Sequence, residues 1–227
     1  MNRANGVHHL AITTADIKEQ IAFFSQVLGM ELVALYWMHG VKGALHGFLR
    51  LNDRSAVAFV QTPDIGKIER RIGQTHAGNP GLPCAGGAMQ HLALRVDSDE
   101  ELLAMRDRVR SHGINIFGPM DHGFCKSIYF AGPEDLSLEI STSHEAIDPN
   151  AWIDPEVVEL CAISADELAA YKSPAAYEAP NAPLPQPEAD PAKPHMHYPA
   201  AIYDKLIAMS DGDYEAKFSE TEPPVAV

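Results

Sequence analysis

Residues 89–96 read MQHLALRV, and residues 7–13 read VHHLAIT. Each is an apolar run headed by histidine, of strand length and too short for a helix. HLAL at His91 to Leu94 repeats HLAI at His9 to Ile12. The order of elements after each copy also repeats. After the first, Thr14 or Asp16 can cap a helix reaching about Leu28. Ile17, Ile21, Phe24 and Leu28 keep helical spacing, and Gly29 suits a left-handed stop. Strands are then expected over 30–36, 47–51 and 56–62. After the second, Ser98 or Asp99 caps a helix through Leu102, Met105 and Val109 to Ser111, with Gly113 ending it. Strands are expected over 114–117, 127–131 and 136–140. The plan is β-α-β-β-β twice. A repeat of this size predicts an α+β fold of two paired βαβββ modules, 6–65 and 88–145. Their curved sheets would form a cup, joined by a Gly- and Pro-rich linker over 66–87.

The repeat separates His8 from His9, because adjacent strand residues face opposite ways. Only His9 has a counterpart, His91, so these two are expected inside the cup. His8 is expected on the helix side or the surface. The second module ends in HGFCKSIYFAGPEDLSLE, residues 122–139. Ile128 and Phe130 share one strand face and Tyr129 the other. Gly132-Pro133-Glu134-Asp135 reads as a turn whose acids stay in water. Leu136, Leu138 and Ile140 share a face, which leaves Glu139 between Ser137 and Ser141. A lone strand glutamate is usually solvated. Two repeat-related histidines on facing sheets give Glu139 the alternative of joining them around a divalent transition metal. Setting Thr62 against Thr142 matches Glu139 to Phe59.

The chain has 227 residues, 46% of them hydrophobic, and a net charge of −14. It can bury a sizeable core, and its charge argues against nucleic acid or an anionic membrane as a partner. Cys84, Cys125 and Cys161 are scattered and form no CxxC pair, so neither a disulfide framework nor a zinc ribbon is indicated. Without a spanning apolar run or a signal-peptide plan, a reducing cytoplasm is the expected location.

The doubled plan with HHLAI and QHLAL resembles the vicinal oxygen chelate superfamily. This superfamily includes glyoxalase I, methylmalonyl-CoA epimerase, fosfomycin and bleomycin resistance proteins and type I extradiol dioxygenases. The stretch His122, GFCKS, Ile128-Tyr129, FAG, Pro133, ED, LSL, Glu139 is similar to the extradiol pattern. Gly132, Asp135 and Met120 depart from it at positions that carry no chemistry. The resemblance implies iron(II) on His9, His91 and Glu139, with zinc, nickel or manganese as other occupants. It implies a catechol and dioxygen as substrates, Tyr129 as hydrogen-bond donor to the substrate and His122 as general acid. Phe59 stands where glyoxalases and epimerases carry a fourth ligand, so three ligands are expected. The dioxygenases have a further histidine late in the first module. His39, His46 or His76 could replace it from a loop, His46 being the best placed, with an ordinary loop residue as its alternative reading. The short one-pair chain resembles members that form homo-oligomers. The alternatives are a metal-dependent lyase or isomerase of the glyoxalase or epimerase type, and a resistance protein that binds a small molecule without turnover.

From Ser143 the composition changes. A helix is expected over 156–171, then a Pro- and Ala-rich arm over 173–194, then a helix over 199–209. The whole of 146–227 reads as a C-terminal extension. His195 and His197 are expected to be exposed tail residues rather than ligands, and 219–227 to lack order.

Overall fold

The repeat of HLAI and HLAL is a repeat of sheets. β1 (His9–Thr13), β2 (Glu31–Trp37), β3 (Leu45–Asn52) and β4 (Ser55–Gln61) form one sheet in the order β1-β4-β3-β2. β5 (Leu92–Arg95), β6 (Phe117–Asp121), β7 (Lys126–Ala131) and β8 (Ser137–Thr142) form the second, in the order β5-β8-β7-β6. In each sheet the first strand runs parallel to the last and the other pairs are antiparallel. This computed structural model describes residues 3–226. It divides into Asn5–Ser173 and a second unit that comprises the C-terminal part from Pro174 together with the residues before Asn5.

α1 (Ile17–Ala22) starts at Asp16, whose side chain accepts from the Glu19 N–H, and continues as a wider π-helical turn over Phe23–Val27. Gly29 follows at φ +80°, the left-handed conformation that glycine adopts without steric cost. α2 (Asp99–Ser111) starts at Ser98, which accepts from Glu101 N–H. Both helices contribute to one buried cluster that holds Phe24, Leu49, Phe59, Leu102, Ile128, Leu138 and Ile140. Full burial of side chains this size stabilises the fold by roughly 1.5–3 kcal/mol each.

The second half of Asn5–Ser173 grips α1 of the first half at both ends. Arg108 of α2 donates from Nε to Val27 O at 2.7 Å and from Nη2 to Gln26 O at 2.9 Å. A cation there complements the carbonyl end of a helix. At the other end Glu134 accepts from Thr14 Oγ1 at 2.5 Å, Ala15 N at 2.9 Å and Gln20 Nε2 at 3.1 Å. The sequence reading kept the acids of this turn in water. Asp135 is exposed, but Glu134 is drawn inward by three donors at the start of α1.

Other expectations shift. β5 begins at Leu92, so His91 stands one residue ahead of its strand. β6 occupies Phe117–Asp121 instead of 114–117, because Ile114 and Ile116 pack on the core while Phe117, Met120 and Asp121 find ladder partners on β7. The helix expected over 156–171 is two helices, α4 (Pro155–Leu160) and α5 (Ala165–Lys172), after a short α3 (Pro149–Trp152). Ala162 at φ +54° breaks the path, and Ser164 with Glu167 forms a capping box that starts α5.

β2 lies at a sheet edge with Leu32, Leu35 and Trp37 40%, 51% and 68% exposed. In the C-terminal unit, α6 (Ala200–Ile207) lies within the helix expected over 199–209, and α7 (Asp211–Phe218) comes after it. His195 Nδ1 donates to Lys193 O at 2.9 Å and its ring meets Tyr203 edge-on. Both His195 and His197 are exposed. No helix among the described residues is long and apolar enough to cross a membrane.

Candidate functional site

Strand register places one row of side chains across the second sheet. Ala93 pairs with Glu139, Glu139 with Tyr129, and Tyr129 with Phe117. Cross-strand partners share a face, so these four point away from Leu138 and Ile140 in the core. Glu139 is 5% exposed, so the usual solvated strand glutamate is excluded. Ser141 Oγ donates to Glu139 Oε1 at 2.5 Å, and Ser127 Oγ lies 2.8 Å from Ser141 Oγ. Burial pushes the Glu139 carboxyl up. Hydrogen bonds from Ser127, Ser141 and Tyr129, with His91 nearby, outweigh that and hold it below its ordinary 4.5. An ionised carboxylate is thus kept inside the protein.

His91 joins it, with Nε2 at 2.8 Å from Glu139 Oε2. Nδ1 of the same ring contacts Gln90 Oε1 closely. Tyr129 extends the row to His122, whose Nε2 lies 3.0 Å from the phenol oxygen. Burial raises the Tyr129 pKa, with Glu139 adding to the rise, so the phenol stays a donor at neutral pH. His122 sits in the exposed loop after β6. Phe124 of that loop packs edge-on against Trp152 of α3, with ring centres 4.8 Å apart. Gly123 passes under the same indole at φ +86°, where a Cβ would come within 2.7 Å of it.

The first sheet presents the matching face. His9 pairs with Ala56, Ala11 with Ala58 and Thr13 with Val60; Ala58 then pairs with Phe48 and Val60 with His46. The row equivalent to Ala93-Glu139-Tyr129 is therefore Ala11-Ala58-Phe48. This corrects the match of Glu139 to Phe59. Phe59 pairs with Ile12, as Ile140 pairs with Leu94, and is fully buried against Phe24. Aligning on the threonines slipped the register by one residue, which exchanges the two strand faces. The true counterpart, Ala58, has no donor atom either.

His46 is a residue of β3 and not of a loop. Tyr36 hydroxyl lies 3.4 Å from His46 Nδ1, and His46 Nε2 is buried with no partner. Burial, then His9 and His39, lower its pKa, so it is neutral at pH 7. Phe48 stacks nearly parallel to Tyr36 and lies 4.4 Å from the His46 ring centre. His39 is placed against Tyr36. His76 meets Thr75 in the linker. The sequence reading missed Phe48 and Tyr36, although their alternation with core residues was readable.

His9 does not reach the His91–Glu139 pair. Its ring lies 5.3 Å from Phe48 and 6.4 Å from His46, with Nδ1 at 2.9 Å from His8 Nδ1. His8 and His9 are both exposed, so His9 is not enclosed in a cup as expected and exposure does not separate the two. Among the described residues no three His, Cys, Asp or Glu side chains gather closely enough to hold a metal. The donors nevertheless fit a divalent cation in kind. An ionised carboxylate meets an imidazole nitrogen, and the contact takes a positive charge between them, whether a ring proton or a metal ion.

The family model of the Glyoxalase/Bleomycin resistance protein/Dioxygenase superfamily matches residues 6–140. The chain belongs to this superfamily. Solved structures are similar to it at low identity. A glyoxylase/bleomycin resistance protein/dioxygenase domain from Frankia sp. EAN1pec is 13% identical, with 63% of this chain and 100% of that one covered at a TM-score of 0.48. TnmS3, an antibiotic-binding protein from Streptomyces sp. CB03234, is 15% identical over 63% and 98%, at 0.45. The fosfomycin resistance protein FosX from Listeria monocytogenes, complexed with Mn(II) and sulfate, is 15% identical over 62% and 94%, at 0.42.

Proposed function

We propose that this superfamily member is an iron(II) extradiol dioxygenase that opens a catechol ring with dioxygen. What supports the reading most is one row of side chains. It joins the His91–Glu139 pair, at 2.8 Å, to the His122–Tyr129 pair, at 3.0 Å. In this reading His91 and Glu139 hold the metal with His9 as the third ligand, which requires His9 to leave its contact with His8. Bound iron(II) supplies an electron path from catecholate to dioxygen and acidifies the ring hydroxyls.

The remaining tasks fall to side chains. Tyr129, kept protonated by burial, donates to a deprotonated ring oxygen. His122 accepts a substrate proton and returns it as the ring opens, acting as general acid in the second step. Phe48 and Tyr36 offer a flat apolar surface to a planar substrate. His46, neutral and unpaired at Nε2, takes the part of the further first-module histidine of the dioxygenases. A cytoplasmic homo-oligomer is part of the same proposal, and the exposed edge of β2 supports self-association.

The test is oxygen uptake after anaerobic iron(II) loading, with mono- and bicyclic catechols and absorbance of the ring-opened product. Stoichiometric uptake is expected, lost in Glu139→Ala. Tyr129→Phe should lower turnover by about 10²–10⁴-fold with iron still bound. No uptake from a fully iron-loaded sample would refute the proposal and leave the lyase, isomerase or binding roles of the superfamily.

A further inference from the structure

We infer that Phe117 and Met120 form an apolar subsite beside Glu139 and Tyr129, which selects ligands carrying a hydrophobic substituent such as an alkyl group or a second ring. The inference rests on the proposal above only in taking the Glu139–Tyr129 row as the place where a ligand binds. It requires neither a metal nor turnover.

β6 is the outer strand of the second sheet, next to β7. Phe117 pairs with Tyr129 and Met120 with Ser127. Three steps along β6 thus match two along β7, which is a bulge of one extra residue. On a regular strand, side chains three apart face opposite ways. The bulge turns both Phe117 and Met120 to the face of their partners. That face carries Glu139 opposite Tyr129 and Ser141 opposite Ser127. Gly118 is what admits the bulge. Its φ is +106°, and a Cβ there would stand 2.7 Å from Ser127 O. The first sheet lacks this arrangement. Ala34 and Tyr36 hold the equivalent places, opposite Phe48 and His46, and they are two residues apart without a bulge between them.

The two side chains do little for the fold. Phe117 is 68% exposed and Met120 43%, and neither packs in the buried cluster. Strand addition is not their use either, because Pro119 between them has no N–H to give to a further strand. Their neighbours in register are the polar groups of the site. Strands lie about 5 Å apart, so Phe117 stands about 10 Å from Glu139 with Tyr129 between them. An aromatic ring whose hydroxyls meet Glu139 and Tyr129 sets its far substituents against Phe117 and Met120. An apolar substituent there leaves water as it covers both side chains.

The experiment uses the full chain without oxygen, with and without iron(II). Catechol and tert-butylcatechol are titrated by calorimetry into the wild type, Phe117→Ser and Met120→Ser. The wild type should bind tert-butylcatechol about 10-fold more tightly than catechol, and each substitution should remove most of that ratio. Equal affinities for the two catechols in the wild type would overturn the inference and leave the catechol reading standing. A ratio that survives both substitutions would also overturn it, and an oligomer that then dissociates in Phe117→Ser would assign the pair to a second copy of the chain. A third probe, tert-butylphenol, lacks the diol and is followed by the NMR signal of the Met120 methyl group. If neither catechol binds while tert-butylphenol shifts that signal in the wild type and not in Phe117→Ser, the subsite stands and the catechol reading falls. No shift with any of the three probes would overturn the inference.

Discussion

Replacing Glu134 by Ala removes the acceptor of three hydrogen bonds that hold the two halves of the fold together. The cost depends on where the donors sit. Thr14 is 1% exposed and Gln20 fully buried, so water does not replace the lost carboxylate. A buried polar group left unpaired costs about 1–3 kcal/mol. Gln20 Oε1 already lacks a partner, so the variant would leave that amide without its carboxylate partner. Ala15 N is in an exposed setting and is rehydrated at little cost. Thr14 Oγ1 loses its acceptor and Gln20 Nε2 keeps only a long bond to Pro133 O at 3.5 Å, which with some relaxation gives about 3 kcal/mol. For a chain of this size that is a fall in Tm of about 6–12 °C. Glu134→Gly provides an internal control. It loses the same hydrogen bonds, but φ is +57°, so glycine should recover about 1 kcal/mol relative to alanine. Urea unfolding tracked by circular dichroism, with calorimetry, measures both. A Glu134→Ala protein within about 0.5 kcal/mol of wild type would refute the idea that the turn clasps α1.

Glu139 has a lowered pKa, so the unfolded chain binds its proton more readily. Its contribution is present above the ordinary 4.5 and is lost as pH falls through the lower folded value. Stability should therefore fall less steeply in Glu139→Gln as pH drops from 4.5 to that lower value, and parallel curves would remove the pKa argument. His46 is also lowered, from 6.5. Its neutral burial contributes stability above 6.5 that is lost as pH falls below it, and His46→Gln should flatten stability against pH in that window. Gly123→Ala forces a Cβ against Trp152 at φ +86°. It should cost about 1–2 kcal/mol from the backbone alone and shift indole emission in a Trp37→Phe background. Unchanged emission would mean that the ring does not hold the loop of His122.

The doubled plan was legible because its signals are local. Histidine-headed strands, capping residues and Gly29 each name their own structure. Faces were legible too, since Leu138 and Ile140 alternate with Glu139. What failed depended on partners distant in sequence. Phe59 was matched to Glu139 because a short apolar strand has no internal mark of register, and only pairing with Ile12 reveals its face. Glu134 looked solvated because nothing near it in sequence announces Thr14 or Gln20. His46 looked like a loop residue because Gly47 comes next. The backbone admits that glycine inside β3, where a Cβ would meet Ile17 at 3.4 Å and Leu35 at 3.5 Å. His9, His91 and Glu139 were chosen together, and His91 with Glu139 are the two that meet.

The open edge of β2 bears on how the protein behaves in a tube. Its partner in the repeat, β6, also lies at an edge but contains Pro119, which cannot donate to an added strand. β2 has no proline, and its charged residue, Glu31, is already occupied by Arg50 at 3.1 Å. The outer side of this seven-residue strand, flanked by Leu32, Leu35 and Trp37, forms a template for further strands. Loss on concentration and storage should start there, in molecules that are still folded. Leu35→Lys is the simplest safeguard for a preparation, since a lysine at an edge blocks strand addition without entering the core.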